Sequence, residues 1–286
     1  MRLHAYLPSE TPNQDAEDVL NLAVLAEELD YEGVWLPDHP LPYYEYRDYF
    51  GGVWDPLAML GAVAARTSTI RIGTGVLVAA MRNPFVVAKQ VATIDRISHG
   101  RLDLGIGVGI VLKEFQNVGA DFTTRGVRTD EIIRLFRHLF SVGRGPFEGK
   151  YYGLGDEAVF APAPMQGAAV PIWVGGRTDA AWQRASRVGD AWLCAMTEPG
   201  EFKVKVEAMR AATDRPVRAA ARVQVDGNVS LDQASDLLGT WRDVGTDDFF
   251  LWFGEPVAYA ERMRTFAEAH AQMFGHTPVP VGARAR

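Results

Sequence analysis

The stretch that decides the fold is Ile70-Arg71-Ile72-Gly73-Thr74-Gly75-Val76-Leu77, followed after one helix by Arg101-Leu102-Asp103-Leu104-Gly105-Ile106-Gly107-Val108-Gly109. Each is a short apolar run with a glycine-rich tip. The helix between them starts at Asn83-Pro84 and turns Val87, Val91, Ile94 and Ile97 to one side. Strand, helix and strand in this order make parallel strands joined by a right-handed crossover. In a closed parallel barrel the strand tips point at the ligand. Glycines there leave either room for close strand packing or bare backbone on which a large flat cofactor can lie. Lys113-Glu114-Phe115 follow the second tip, and Gly119 closes the turn.

The same alternation runs outward in both directions. Upstream, Leu3 to Leu7 and Gly33 to Pro37 read as strands. Asp15 to Leu29 is an amphipathic helix between them, and Asp55-Pro56 opens another with Asp55 as N-cap. Downstream, Thr124 to Phe140 reads as a helix, and further strands fall at Val170–Val174, Asp190–Cys194, Val217–Val225 and Asp248–Phe253. Helices fit at Asp179–Val188, Pro199–Ala212, Ser230–Asp243 and Pro256–Phe274. About eight β-then-α units in roughly 250 residues predict an α/β fold of the closed (β/α)8 TIM barrel type. An open doubly wound sheet is the alternative. The barrel is expected as a single domain over residues 1–275, with long loops at its C-terminal face and a flexible tail at 276–286. Leu41 to Trp54 and Gly143 to Ala169 are the long loops.

Composition excludes several classes. The chain has 286 residues and a formal net charge of −7, with 29 basic and 36 acidic residues, so the basic footprint of a nucleic-acid binder is absent. No run reaches the ~18–20 apolar residues of a membrane helix, and the N-terminus is too short in apolar residues for a signal peptide. Cys194 is the only cysteine and reads as a buried small hydrophobe; a chain without internal disulfides suits a cytoplasmic location. No close set of His and Asp/Glu has metal-ligand spacing, so no metal is expected.

Several motifs carry chemistry, each with a plainer reading beside it. Gly105 and Gly107 meet the first two positions of a dinucleotide fingerprint, but Ile110 stands at the sixth; Gly73 and Gly75 fail at Val78. Asp38-His39 ends the second strand, where an imidazole can act as acid or base, its tautomer fixed by Asp38 or Glu114. Glu114 also reads as an acid in the first turn of a helix. Val174-Gly175-Gly176-Arg177-Thr178-Asp179 reads as a phosphate site at a helix start or as a tight turn capped by Thr178 or Asp179. The loop from Leu41 to Phe50 holds five aromatic residues, fit for a lid over a planar substrate or for a subunit contact. His138, His270 and His276 read as surface residues.

Taken in order, the pieces form a longer pattern. It runs from Val34-Trp35-Leu36-Pro37-Asp38-His39 and Asp55-Pro56-Leu57 through Ile70 to Val76, Asn83-Pro84, Ala88-Lys89-Gln90 and Gly100-Arg101-Leu102. Gly105 to Gly109, Glu114-Phe115, Arg125-Gly126, Glu131, Phe147-Glu148-Gly149, Pro162-Ala163-Pro164 and Gln166 continue it. Pro171 to Gly176 and Arg184-Ala185 through Trp192 close it. No piece is specific alone, but the ordered set, over nearly the whole chain, resembles the bacterial luciferase-like family of flavin and deazaflavin oxidoreductases. Within it the chain most resembles the subgroup that uses the deazaflavin coenzyme F(420).

The resemblance implies a (β/α)8 barrel, a homodimer, and hydride transfer between F(420) and a small-molecule substrate. It implies a non-proline cis peptide at Gly75–Val76 beneath the cofactor ring. It maps catalytic roles to His39, Glu114 and Asp38, and cofactor contacts to Thr74, Gly75, Val76, Gly107, Gly109, Gly175, Gly176 and Arg177. An FMN-dependent monooxygenase on the same barrel, using oxygen and a separate reductase, is the alternative; a non-catalytic cofactor-binding barrel is a second. One departure stands at Ile110, where related sequences often carry tryptophan.

Overall fold

Short apolar runs alternating with amphipathic segments close on themselves in the computed structural model, which describes residues 1–10, 14–42, 44–47 and 52–273. The barrel strands are β1 (Arg2–Tyr6), β2 (Gly33–Leu36), β3 (Arg71–Thr74), β4 (Leu102–Ile106), β7 (Ile172–Gly175), β8 (Ala191–Cys194), β9 (Arg218–Gln224) and β10 (Asp248–Trp252). They are parallel and closed in the order β1-β10-β9-β8-β7-β4-β3-β2. The expected (β/α)8 barrel is therefore the observed fold.

Helices α1 (Ala16–Glu28), α2 (Pro56–Arg66), α3 (Pro84–Ile97), α4 (Leu112–Asn117) and α5 (Arg125–Val142) belong to the first half. The second half carries α6 (Asp179–Val188), α7 (Pro199–Ala211), α8 (Leu231–Asp243) and α9 (Pro256–Ala269). Their starts follow local chemistry. The Asp55 carboxylate accepts the Ala58 N–H at 2.9 Å, and Asn83 Oδ1 accepts the N–H groups of Phe85 and Val86. Each cap is followed by proline, whose missing N–H costs nothing in the first turn. No helix among the described residues is long and apolar enough to cross a membrane.

The structure departs from the sequence reading in places. The stretch read as one long loop, Gly143 to Ala169, contains an antiparallel hairpin, β5 (Phe147–Glu148) and β6 (Gly153–Leu154). Its tip is held by Glu131, whose carboxylate accepts the N–H groups of Lys150, Tyr151 and Tyr152. His270 is not a surface residue. It is 1% exposed, stacks on Phe266 one turn earlier and bonds Ser235 Oγ through Nε2 at 2.7 Å, so it joins α9 to α8. Much of the aromatic loop (residues 43 and 48–51, and the Tyr46 side chain), and the expected tail at 276–286, lie outside the described residues.

Side chains fill the barrel interior. Trp35, Trp173 and Phe250 pack around His4, with ring centroids 4.6–6.0 Å apart. Trp35 Nε1 donates to His4 Nδ1 at 3.1 Å, so the His4 proton resides on Nε2 and is donated to Asp248 Oδ1 at 3.0 Å. Arg2 completes a bidentate pair with Asp248. Burial alone would raise the Asp248 carboxyl, but the hydrogen bonds from His4 and Arg2 and the charge of Arg218 outweigh it and hold it down at about 2. This plug closes the floor and leaves the strand tips as the open end.

Candidate active site

The glycine tips serve a purpose that spacing alone did not reveal. The Gly75–Val76 peptide is cis, as the family resemblance implied. Val76 is seated between the neighbouring strands. A Cβ on Gly107 would stand 2.4 Å from Val76 Cγ2, and one on Gly175 would stand 2.5 Å from Val76 Cγ1. The missing side chains of β4 and β7 thus make room for Val76, a distance no real Cβ could tolerate. Gly105 meets a stricter limit, because its Cβ would lie 1.8 Å from the Thr74 carbonyl oxygen. The Thr74 hydroxyl is buried and donates to Gly105 O at 2.6 Å.

The predicted cofactor residues therefore divide into two layers. Gly75, Val76, Gly175 and Gly176 line one cavity of about 80 Å³ with Tyr6, Leu193, Ala195 and Arg222. Thr74 and Gly107 stand behind Val76. Gly109 backs onto Phe115 and Val78, with φ +76°. Gly107 and Gly109 fit a supporting role: they shape the wall.

His39 and Glu114 come together from different elements. His39 follows β2, and Glu114 sits in the first turn of α4, yet His39 Nδ1 lies 3.1 Å from Glu114 Oε2. His39 is half-buried, while the Glu114 side chain is 2% exposed. Its other oxygen, Oε1, is buried without a hydrogen-bond partner among the described residues. A buried carboxylate oxygen left unmatched is costly and fits a donor supplied by a bound molecule. Of the two carboxylates expected to orient His39, Glu114 is the one in contact.

Asp38 turns elsewhere. Its Oδ2 accepts the Val78 N–H at 2.9 Å, and its Oδ1 accepts from Arg82 at 2.5 Å. Burial pushes its carboxyl above the usual range, and Arg82 and the Val78 N–H offset only part of this. Asp38 thus ties the end of β2 to the segment after Val76.

The turn after β7 presents backbone to solvent. Gly176, Arg177, Thr178 and Asp179 are exposed, and Gly176 has φ +138°. Thr178 holds the N-cap position of α6 but makes no side-chain capping bond; its carbonyl takes the Ala181 N–H at 2.9 Å, and the N–H groups before it have no capping side chain. Such a start attracts an anion. Trp192 Nε1 donates to Gly176 O at 2.7 Å and fixes the turn.

Four mouth residues escaped the sequence reading. Tyr6, two strands away on β1, donates its hydroxyl to Gly75 O at 2.7 Å and so braces the bulge. Arg222 lies over the rings of Tyr6 and Trp252, its guanidinium carbon 4.2 and 4.9 Å from their centroids. Glu10 stands beside it, 3.5 Å from Arg222 and 8% exposed. Burial raises the Glu10 carboxyl, against the lowering effect of Arg222 and His39. The available signal was the period-two series Arg218, Ala220, Arg222, Gln224, polar at three of its four positions, against the apolar Ala219, Ala221 and Val223 between them. A larger cavity of about 910 Å³ lies alongside, lined by the segments after β9 and β10 and including Gln224, Asp226, Asn228 and Trp252. Ile110, the departure from the family pattern, is 79% exposed at the rim.

Comparison with known proteins places this geometry. A family model described as luciferase-like monooxygenase matches residues 1–277. The F(420)-dependent glucose-6-phosphate dehydrogenase of Amycolatopsis mediterranei (strain U-32) is 38% identical over 181 residues, 62% of this chain and 53% of that protein. The protein of the same name from Kineococcus radiotolerans (strain ATCC BAA-149 / DSM 14245 / SRS30216) is 35% identical over 222 residues, 76% of this chain and 63% of its own length. The chain thus spans a little over half to under two thirds of the length of these relatives. Among solved structures, monooxygenase RslO1 from Streptomyces bottropensis superposes with a TM-score of 0.82 at 21% identity, covering 96% of this chain and all of that one. That likeness establishes the barrel.

Proposed function

Because the chain belongs to the luciferase-like monooxygenase family, we propose that it is an oxidoreductase transferring a hydride between the deazaflavin coenzyme F(420) and a small organic substrate. The observation that carries the reading is the His39–Glu114 pair, with its unmatched buried oxygen, at the same mouth as the Val76 bulge. The 35–38% identity to proteins named for F(420) supports the choice of coenzyme.

The bound coenzyme would supply the hydride donor or acceptor; the protein supplies the seat, the orientation and the proton. Gly75, Val76, Gly175 and Gly176 would hold the ring side, and the exposed start of α6 with Arg177 a phosphate. Glu114 Oε2 stands 3.1 Å from His39 Nδ1 and would accept an N–H there, which supports Nε2 as the proton-exchanging atom in this reading. When a carbonyl substrate is reduced its oxygen gains a proton, which His39 delivers; in the reverse direction His39 removes it. Asp38 acts as a positioning residue through Arg82 and Val78. We extend the reading to a cytoplasmic homodimer, on the family resemblance and on a single unpaired cysteine, Cys194.

Titration of the purified protein with F(420) and with FMN tests the proposal. F(420) is expected to bind and FMN to bind weakly. Tight FMN binding with no affinity for F(420) would overturn it in favour of an oxygen-using monooxygenase. F(420) binding without turnover on any alcohol or aldehyde would favour a non-catalytic barrel.

A further inference from the structure

We infer that Arg222 selects the substrate, its guanidinium binding a carboxylate or phosphate oxyanion at one end of a small organic molecule seated in the barrel mouth. The inference rests on the oxidoreductase reading only in calling that molecule a substrate.

Arg218, earlier on the same face of β9, is stacked on Trp173 with Asp248 at 3.6 Å, but it sits beside the His4–Asp248 plug at the floor and not at the mouth. Several other inward or half-buried arginines are fully bonded within the protein. Arg101 donates to the carbonyls of Ala64, Thr67, Ile70 and Ser98, Arg71 forms a bidentate pair with Asp103, and Arg184 binds Asp130. Arg222 is held differently. Two aromatic faces fix its plane, and a ring face orients a guanidinium without consuming its N–H donors. Its nearest acceptor among the described residues is Glu10 Oε1 at 3.5 Å. A good charge-assisted bond is about 2.7–2.9 Å. The side chain is 29% exposed, open to the mouth rather than sealed in the core. Its five donors in a planar fork match a carboxylate or a phosphate ester.

The surroundings restrict the rest of the ligand. Arg222 shares its cavity with Val76, Leu193 and Ala195, which offer apolar contact, and with the bulge that would seat the coenzyme. The ligand is thus an anion at one end with a compact body. Glu10 is the internal competitor: it holds the guanidinium loosely when the mouth is empty, and an incoming oxyanion takes its place. Lys205 is spent on Glu201 and on the Arg177 carbonyl.

The test is calorimetric titration of F(420)-loaded protein with two matched pairs: lactate against 2-propanol, and glucose 6-phosphate against glucose. The anionic member of at least one pair should bind about tenfold to a hundredfold more tightly than its neutral partner. The lactate pair reports a carboxylate and the glucose pair a phosphate ester. Arg222→Met should abolish the preference while F(420) affinity, followed separately by fluorescence, stays within about twofold; Arg222→Lys should retain part of it. Glu10→Gln should tighten the anion several-fold. Equal binding within both pairs, a preference that survives Arg222→Met, or a parallel loss of F(420) affinity would overturn the inference. Anion binding by a wild-type protein that takes up no F(420) would instead contradict the coenzyme reading and leave Arg222 as an anion site.

Discussion

The two halves of the barrel are built on opposite principles. The strands β2, β3, β4 and β7, with the segment just after β4, carry inward glycines at Gly33, Gly73, Gly105, Gly107 and Gly175. Trp35 takes the space at Gly73 and Val76 the space at Gly107 and Gly175, while Gly105 meets the Thr74 carbonyl and Gly33 meets His4 of the other half. The strands β8, β9, β10 and β1 present Leu193, Arg218, Arg222, Asp248, Phe250, Trp252, His4 and Tyr6, joined by ion pairs and ring stacking. The glycine half brings backbone and His39 to the mouth, where a ring could be seated. The aromatic and ionic half supplies His4, Asp248 and Phe250 to the floor, where Trp35 and Trp173 join them, and places Arg222 at the mouth. One half shapes the seat by leaving side chains out; the other sets polarity by putting charge in.

Substitutions can break this division, and they differ in expected size. The largest effect is on turnover: His39→Ala should lower it by about 10²–10⁴-fold, the usual contribution of a positioned acid or base, with F(420) affinity retained. Steady-state rates beside a fluorescence titration read both, and unchanged turnover removes His39 from the mechanism. Next comes Gly105→Ala. Its methyl would meet the Thr74 carbonyl at 1.8 Å, and because the obstacle is backbone, relief requires the strands to part. A loss of about 3 kcal/mol, the upper end of ordinary overpacking, should appear in denaturant melts. An unaffected midpoint would mean that the strand spacing is soft and the glycine half is not built by close approach.

The smaller effect belongs to the other half. The Asp248 carboxyl is held at about 2, below its ordinary 3.8, so the unfolded chain binds more protons than the folded one between those values. Its contribution is present above the unfolded pKa and is lost as pH falls from about 3.8 through about 2. A shift of this size corresponds to about 2 kcal/mol. Asp248→Asn should therefore be destabilised by roughly that amount at pH 6, with the gap narrowing toward pH 2, as followed by urea midpoints across pH. A gap independent of pH would assign the cost to packing rather than charge.

The two halves were also unequally legible in the sequence. Local chemistry writes itself into adjacent residues, so Asp55-Pro56 and Asn83-Pro84 located two helix starts, and the glycine tips located the mouth. The pairing of His39 with Glu114 came from the family pattern and from their both following strands at the same end. Arg222, Glu10, Tyr6 and Trp252 were invisible as a group because they are brought together by register around the barrel, between strands far apart in the chain. Strands buried on both faces lack the polar alternation that would show which side chains point inward. The glycines themselves were found but half understood: a bare strand tip looks the same whether it awaits a ligand or the side chain of Val76. His270 was misread because its burial depends on the docking of α9 on α8, which no local pattern records.

The most direct measurement is a crystal structure of the protein soaked with F(420). The account predicts ring density against Val76, facing His39, with phosphate density at the exposed start of α6. Coenzyme density instead in the cavity beside α8 and α9, away from His39 and Val76, would contradict it.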